Sequence, residues 1–240
     1  MRKIVIIFTF VVAMGGTFAQ KADDFSADAK QGCKLAQCDL GNCYYYGKGV
    51  KKDFTQAAYW YQKAAEQGYA EAQFNLGALY FHGRGVTQDY VQAVYWHQKA
   101  AEQGDVDAQY SIGLCYRYGY GVTQDYFQSA YWWKKAAEQG EAEAQFCLGE
   151  YYMNVTLDYV QAVYWYKKAT EQGHAWAQFR LGNCYYYGYG VSKNKKYVLY
   201  LFQNALKNKK DFSKPKIYSM KHVIKELKAA GYKAIKPKEE

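Results

Sequence analysis

The sequence predicts an all-α solenoid built from one helical hairpin that repeats along the chain. One segment recurs as residues 53–88, 89–124, 125–157 and 158–193, in steps of 36, 36 and 33 residues. A tryptophan and a Gln-Gly pair stand at fixed places in every copy: Trp60, Trp96, Trp132 and Trp165, with Gln67-Gly68, Gln103-Gly104, Gln139-Gly140 and Gln172-Gly173. A period of this length is typical of arrays in which each unit buries its apolar face against its neighbours.

Each copy contains the start and stop signals of two helices. Asp53 is followed three residues later by Gln56, a pairing that caps the first amides of a helix, so helix A is predicted to begin there. Gly68 ends helix A by supplying a left-handed residue. Helix B is predicted over residues 70–81, before the Gly-x-Gly-Val turn of residues 83–86.

A glycine stands inside every helix B, where it costs about 1 kcal/mol relative to alanine. The positions are Gly77, Gly113, Gly149 and Gly182. Because Ala64, Ala65 and Ala72 are also small, we interpret the glycines as points of close backbone approach and not as a phosphate cradle.

Residues 57–68 (AAYWYQKAAEQG), 70–80 (AEAQFNLGALY) and 83–86 (GRGV) resemble the Sel1-like repeat, a relative of the tetratricopeptide repeat. The resemblance extends over residues 31–191 and includes helix B of a degraded first unit at 32–46. It implies a right-handed superhelix of paired antiparallel helices that serves as an adaptor for other proteins, and it implies no substrate. The copy at 125–157 departs from the pattern because its last turn lacks Gly-x-Gly-Val and is three residues short.

Both ends of the chain differ from the repeats. Residues 1–19 have the pattern of a signal peptide: basic Arg2 and Lys3, an apolar run over 4–14, and the small-residue ending Thr17-Phe18-Ala19. We therefore expect an exported protein, periplasmic or extracellular; an uncleaved anchor is the alternative, but a membrane span needs roughly 20 apolar residues. Residues 20–52 are a degenerate repeat, and residues 194–240 form a predicted C-terminal helix pair with a Lys-rich tail.

The net charge of +9 is confined to that C-terminal segment. Residues 1–192 carry 17 Lys and Arg against 18 Asp and Glu, whereas residues 193–240 carry 14 Lys against 4 acidic residues. A nearly neutral array argues against nucleic-acid binding along the repeats. An amphipathic stretch at Ile217, Met220, Val223, Ile224 and Leu227 is either a cap for the last unit or part of a basic patch for an anionic surface.

The sequence offers little for catalysis. The histidines have no partner at metal-ligand spacing, so we expect no metal and no cofactor. Ser-x-x-Lys occurs at 192–195 and 213–216, without the Ser-Asp-Asn and Lys-Thr-Gly elements that serine β-lactamases require. Some cysteine-rich Sel1-like proteins are linked to β-lactam binding or hydrolysis, and such an enzyme is the alternative function.

The six cysteines follow the repeat register more than a disulfide pattern. Cys43, Cys115 and Cys184 share the position of Leu79 and Tyr151, which predicts small buried hydrophobes. Cys147 could meet Cys115 or Cys184 on a neighbouring helix, and Cys33 could meet Cys38 only if Cys33 precedes the helix.

The candidate binding site is a row of tyrosines on helix A, which we call the tyrosine ladder: Tyr59, Tyr95, Tyr131 and Tyr164, with Tyr200 at the same position in the last segment. Phe127, Lys134 and Lys167 lie beside it at neighbouring positions. If the A helices line the concave surface of the solenoid, the ladder offers rigid contact area to a protein or peptide partner. In the alternative interpretation each ring packs against helix A of the next unit.

Overall fold

A computed structural model describes residues 22–236, and the predicted signal peptide lies outside them. Twelve α-helices follow one another in antiparallel hairpins, and this part of the chain contains no strand. The predicted all-α solenoid of helical hairpins is confirmed. The helices are α1 Ala22–Lys30, α2 Lys34–Tyr46, α3 Phe54–Glu66, α4 Ala70–His82, α5 Tyr90–Glu102, α6 Val106–Tyr118, α7 Tyr126–Glu138, α8 Ala142–Tyr151, α9 Tyr159–Glu171, α10 Ala175–Tyr187, α11 Lys195–Ala205 and α12 Lys214–Ala229.

Aspartates begin helices α3, α5 and α7 as the sequence predicts. In each case an Oδ1 atom accepts from two backbone N–H groups of the first turn, for example from Thr55 at 2.9 Å and from Gln56 at 3.0 Å at the start of α3. Asp158 accepts from the N–H of Gln161 at the start of α9. These bonds satisfy amides that the helix itself leaves without a partner.

An aromatic ring from the following helix A packs against the glycine inside each helix B. A Cβ on Gly77 would lie 2.4 Å from the His97 ring, and one on Gly182 would lie 2.4 Å from Phe202. The other pairs are Gly41 with Tyr61, Gly113 with Trp133, and Gly149 with Tyr166. The predicted close approach is therefore present, but the group that approaches is a ring rather than a backbone.

Pairs of glutamines, one exposed and one buried, join successive units along one edge of the array. Gln103 donates to Gln73 at 2.7 Å, and Gln73 in turn donates to the carbonyl of Ala65 at 3.0 Å. The same two-step chain recurs through Gln67 and Gln37, Gln139 and Gln109, and Gln172 and Gln145. The accepting glutamines, Gln37, Gln73, Gln109 and Gln145, are buried, and leaving a buried polar group unpaired costs about 1–3 kcal/mol.

The turn after helix B needs glycine where it meets the preceding helix A. Gly85 has φ 71°, and a Cβ there would lie 2.2 Å from the carbonyl group of Phe54. In the short copy the chain instead extends α8 by a π-helical turn, Tyr152–Thr156, and Leu157 takes the left-handed conformation with φ 58°. The array continues through this joint, because α8 and α9 still pack together around Leu148 and Trp165.

Helix α12 covers the apolar face of the last unit. A 3₁₀ segment, Leu206–Asp211, links it to α11. Met220 is fully buried and Leu227 nearly so, in one cluster with Phe179 and Phe202. The amphipathic stretch identified in the sequence therefore packs with its apolar side inward, in the position of a cap.

The cysteines lie where the repeat register places them. Cys115 and Cys184 are buried free thiols, and Cys43 is buried as well. Cys33 precedes α2 and is exposed, whereas Cys38 is buried inside α2, and both are free thiols. Cys147, also a free thiol, shares a hydrogen bond with Tyr110.

Candidate functional site

The four ladder tyrosines lie on α3, α5, α7 and α9, and each is about half exposed. Their exposed fractions are 52% for Tyr59, 49% for Tyr95, 51% for Tyr131 and 48% for Tyr164. Such uniform values follow from the repeat, because the same neighbours surround each ring. The ladder therefore presents four nearly identical phenol surfaces.

A tryptophan supports each ladder ring from its own helix. Tyr95 meets Trp96 edge to face, with ring centroids 4.9 Å apart and planes at 80°. Tyr59, Tyr131 and Tyr164 contact Trp60, Trp132 and Trp165 in the same way, at 5.0, 5.1 and 5.0 Å. Trp96, Trp132 and Trp165 are buried, so the support is anchored in the core. An edge-to-face arrangement is a favoured geometry for aromatic pairs.

A lysine one turn later lies over each ladder ring. The Nζ atom is 5.0 Å from the ring centroid for Lys99 over Tyr95 and for Lys135 over Tyr131. The corresponding distances are 5.7 Å for Lys63 over Tyr59 and 6.0 Å for Lys168 over Tyr164. These contacts fall within cation–π range. The repeated unit is therefore a tyrosine held between a tryptophan and a lysine.

The predicted neighbours of the ladder are also on the surface. Phe127 is 73% exposed, and Val91 and Val160 occupy the same position at 62% and 64%. Lys134 and Lys167 are exposed, and Lys134 forms an ion pair of 3.8 Å with Glu138. Surface pairs of this kind contribute little to stability, so these side chains are available to a partner.

Tyr200 departs from the ladder. It is only partly exposed, and its ring stacks on Tyr197 at 5.9 Å. The aromatic contact of each of the other four tyrosines is with the neighbouring tryptophan. Packing of each ring against helix A of the next unit stays the alternative prediction. The ladder consists of four members.

The sequence analysis missed a row of carboxylates on the helix B side. Glu71, Asp107 and Glu143 share one position on α4, α6 and α8, and Asp39 lies close enough to Glu71 to interact with it. Burial, followed by repulsion from Glu71, raises the pKa of Asp39. Burial also raises the pKa of Asp105, the N-cap of α6, to about 6. Successive carboxylates of this row lie about 36 residues apart in the sequence. Only an alignment of the repeats could therefore have identified the row before the structure was known.

The four histidines and both Ser-x-x-Lys motifs lie within residues 22–236. This part of the chain holds no group of three or more His, Cys, Asp or Glu side chains placed to bind a metal ion. His97 is buried against Phe74, and burial lowers its pKa to about 4, so it is neutral at pH 7. The Ser-x-x-Lys serines lie outside the helices, Ser213 as the residue before α12.

The comparison with protein families decides the fold family. The Sel1 repeat matches residues 34–69, 70–105, 106–141, 142–174 and 177–209. The chain belongs to the Sel1 repeat family. Sel1 repeat proteins are generally scaffolds for protein interaction. Each matched repeat begins with what we called helix B and ends with the following helix A. The family's repeat therefore pairs helix B with the next helix A, whereas the sequence analysis paired helix A with the helix B that follows it.

Two solved structures extend the comparison. The Sel1 repeat protein from Oxalobacter formigenes is 35% identical, with a TM-score of 0.74 over 78% of each chain. The protective antigen c5321 from uropathogenic Escherichia coli is 27% identical, with a TM-score of 0.55; the match covers 91% of this chain and 60% of that one. No curated protein matches this sequence. In residues 22–236 no helix combines the length and apolarity needed to cross a bilayer.

Proposed function

We propose that this Sel1 repeat protein is an exported, non-catalytic scaffold that binds a protein or peptide segment along the tyrosine ladder. The observation that carries the proposal is the repeated unit of a half-exposed tyrosine supported by a tryptophan and a lysine. Export is supported by the signal-peptide pattern of residues 1–19. The match to the family gives the frame of the repeats but does not say which helices line the concave surface. The concave location of the A helices therefore stays a prediction. The proposal depends on the exposure of the ladder and not on the curvature of the array.

A supported tyrosine is a favourable contact residue for physical reasons. Tyrosine presents a large amphipathic surface with only two side-chain torsions to fix, so ordering it on binding costs little entropy. Interface tyrosines are among the residues that contribute most to binding energy. The tryptophan and lysine contacts hold each ring before a partner arrives, and this lowers the cost further.

The spacing of the ladder suggests an extended ligand. Each repeat adds two helices, and packed helices lie 8–10 Å apart, so successive A helices, and with them the tyrosines, are separated by at most roughly 16–20 Å. An extended peptide advances about 3.3 Å per residue, so a step from one ring to the next takes at most roughly five or six residues. A segment of roughly 16 residues or more could contact all four.

A display experiment tests this proposal with peptides in place of the natural partner. Random 16-residue peptides would be selected on the full chain, and the selected peptides then measured on a variant with Tyr95, Tyr131 and Tyr164 replaced by Ala. We expect the affinity to fall at least 100-fold while the melting temperature changes little, because half-exposed rings leave no large core cavity.

The matched control replaces three exposed tyrosines at the ends of B helices, Tyr46, Tyr118 and Tyr187, by Ala. This control should retain peptide binding. If the control loses binding as strongly as the ladder variant, or if the ladder variant fails to fold, the tyrosine ladder is not the binding surface.

A further inference from the structure

The two sides of α12 have different chemistry. The apolar side, with Met220 and Leu227 buried, lies against the last repeat. Another side of the helix is exposed, and it carries residues at spacings of four, three, four and three: Lys214, Tyr218, Lys221, Lys225 and Lys228. Residues at these spacings form one line along a helix. We call this line the lysine stripe.

The lysine stripe is straight and accessible. At 1.5 Å per residue it extends roughly 21 Å along the helix. Tyr218 is 74% exposed, the largest value among the exposed large hydrophobic residues of the described part of the chain. Its ring stacks on His222 with the two planes at 9°. The stripe is therefore a row of four ammonium groups with one aromatic ring near its start.

Few negative charges lie near the stripe. The carboxylate of Glu226 is already engaged, 3.3 Å from the ring of His222. On the adjacent 3₁₀ segment, Lys207 and Lys210 are exposed beside Asp211. Residues 193–240 together hold 14 Lys and no Arg. This end of the molecule is thus strongly positive, while the repeats are close to neutral.

We propose that the lysine stripe docks the protein onto an anionic lipid bilayer surface. Clusters of Lys beside a bilayer are attracted by the negative potential of anionic headgroups, and tyrosine is favoured at the membrane–water interface. Because the apolar side of α12 is covered by the last repeat, the helix binds the surface through charge and Tyr218 and does not insert. This docking is independent of the tyrosine ladder.

The residue types favour lipid over nucleic acid as the anionic partner. Proteins that read nucleic acids rely on the planar guanidinium of Arg, which bonds bases and phosphates through two donors at once. The cations of the stripe are all Lys, and an ammonium group is a point charge suited to a diffuse layer of headgroups. Its single line along one helix also fits a flat surface.

Vesicle binding tests the proposal on the full chain. Vesicles of 30% phosphatidylglycerol in phosphatidylcholine would be compared with pure phosphatidylcholine, for the wild-type protein and for a variant with Lys221, Lys225 and Lys228 replaced by Gln. Each lysine near the surface is expected to contribute about fivefold, so the triple variant should bind the anionic vesicles about 100-fold more weakly. Wild-type binding should also fall steeply between about 0.05 and 0.5 M salt, because the Debye length shortens.

The control removes the same charge elsewhere, by replacing exposed Lys30, Lys34 and Lys51 with Gln. It should bind the anionic vesicles as the wild-type protein does. The apolar run of residues 4–14 is common to all variants, so any contribution from it cancels in the comparison.

Three results would overturn the proposal. The first is equal binding of the stripe variant and the control, and the second is equal binding of the wild-type protein to neutral and anionic vesicles. The third is tighter binding to a 20-base-pair DNA duplex than to anionic vesicles, which would assign the stripe to nucleic acid. A rise in helix content on vesicle binding would contradict docking of an already folded α12.

Discussion

At the scale of single residues, the packing of each repeat depends on a glycine inside helix B, a position without a side chain. The glycine in each helix B leaves room for a ring of the following helix A, and the ring itself varies between Tyr, His, Trp and Phe. The glycine is constant because any Cβ would overlap whichever ring is used. The contact offsets a propensity cost of about 1 kcal/mol per glycine.

Gly182→Ala tests this contact because two effects predict opposite signs. Helix propensity alone would make the variant more stable by about 1 kcal/mol. A Cβ 2.4 Å from Phe202 should instead destabilise it by about 1–3 kcal/mol, as overpacking does. Urea unfolding measures the difference.

The same substitution in a Phe202→Leu background serves as the control, since the smaller side chain leaves space for the new methyl group. There the cost should shrink, and the two substitutions should be non-additive. A stabilised Gly182→Ala in the wild-type background would show that the contact does not explain the glycine.

The residues also show how far the sequence could predict this molecule. Trp60 and its equivalents fix the register, and the caps at Asp53 and Asp89 place the helix starts, because both signals are local. The exposure of the tyrosine ladder follows from helical periodicity for the same reason. The carboxylate row could have been found from the repeat register, since Glu71, Asp107 and Glu143 recur at the repeat period. The pairing of rings with glycines could not be predicted residue by residue, because it joins positions from helices that meet only after folding.

At the scale of elements, the joint between α8 and α9 departs from the pattern of the other repeats. The other described turns after B helices end with glycines at positive φ, such as Gly83 and Gly85. Here Leu157 occupies the left-handed region, which disfavours residues with a Cβ by roughly 1–2 kcal/mol. The π-helical turn before it compensates for the three missing residues, so the solenoid continues with local strain at Leu157.

Leu157→Gly should therefore stabilise the protein by about 1 kcal/mol. Leu157 is 59% exposed, so its loss removes little packing, while glycine adopts φ 58° without steric cost. The measurement is the free energy of unfolding in urea.

Thr156→Gly, one residue earlier in the π-helical turn, is the control, and it should destabilise for two reasons. Glycine adds freedom to the unfolded chain, and the substitution removes the hydroxyl that donates to the Tyr152 carbonyl and accepts from the N–H of Asp158. Equal effects of the two glycine substitutions would mean that Leu157 is not strained.

At the scale of the whole molecule, packing and hydrogen bonds hold the array together without covalent links. In residues 22–236 the core consists of six clusters of buried residues, from the one around Leu40 and Cys43 to the one around Phe202 and Met220. The glutamine chains repeat at four joints and end at Gln178, whose Oε1 has no hydrogen-bond partner. The row of paired glutamines therefore ends at Gln178, and the apolar face of the array ends where α12 covers the last unit.

The redox behaviour of the whole chain should follow from this arrangement. In the native protein a thiol reagent should modify Cys33 rapidly and the other cysteines slowly, because Cys33 is exposed. Burial raises the pKa of Cys115 and of Cys184 to about 12, so almost no reactive thiolate is present at pH 8. Burial likewise raises the pKa of Cys38 and Cys147. Mass spectrometry after brief labelling should find one modified residue, and labelling in denaturant should find six.

A reductant should leave the melting temperature of the protein unchanged, since the repeat register places cysteines where hydrophobes stand in other units. A denatured protein without free thiols would refute the account of these residues as core side chains.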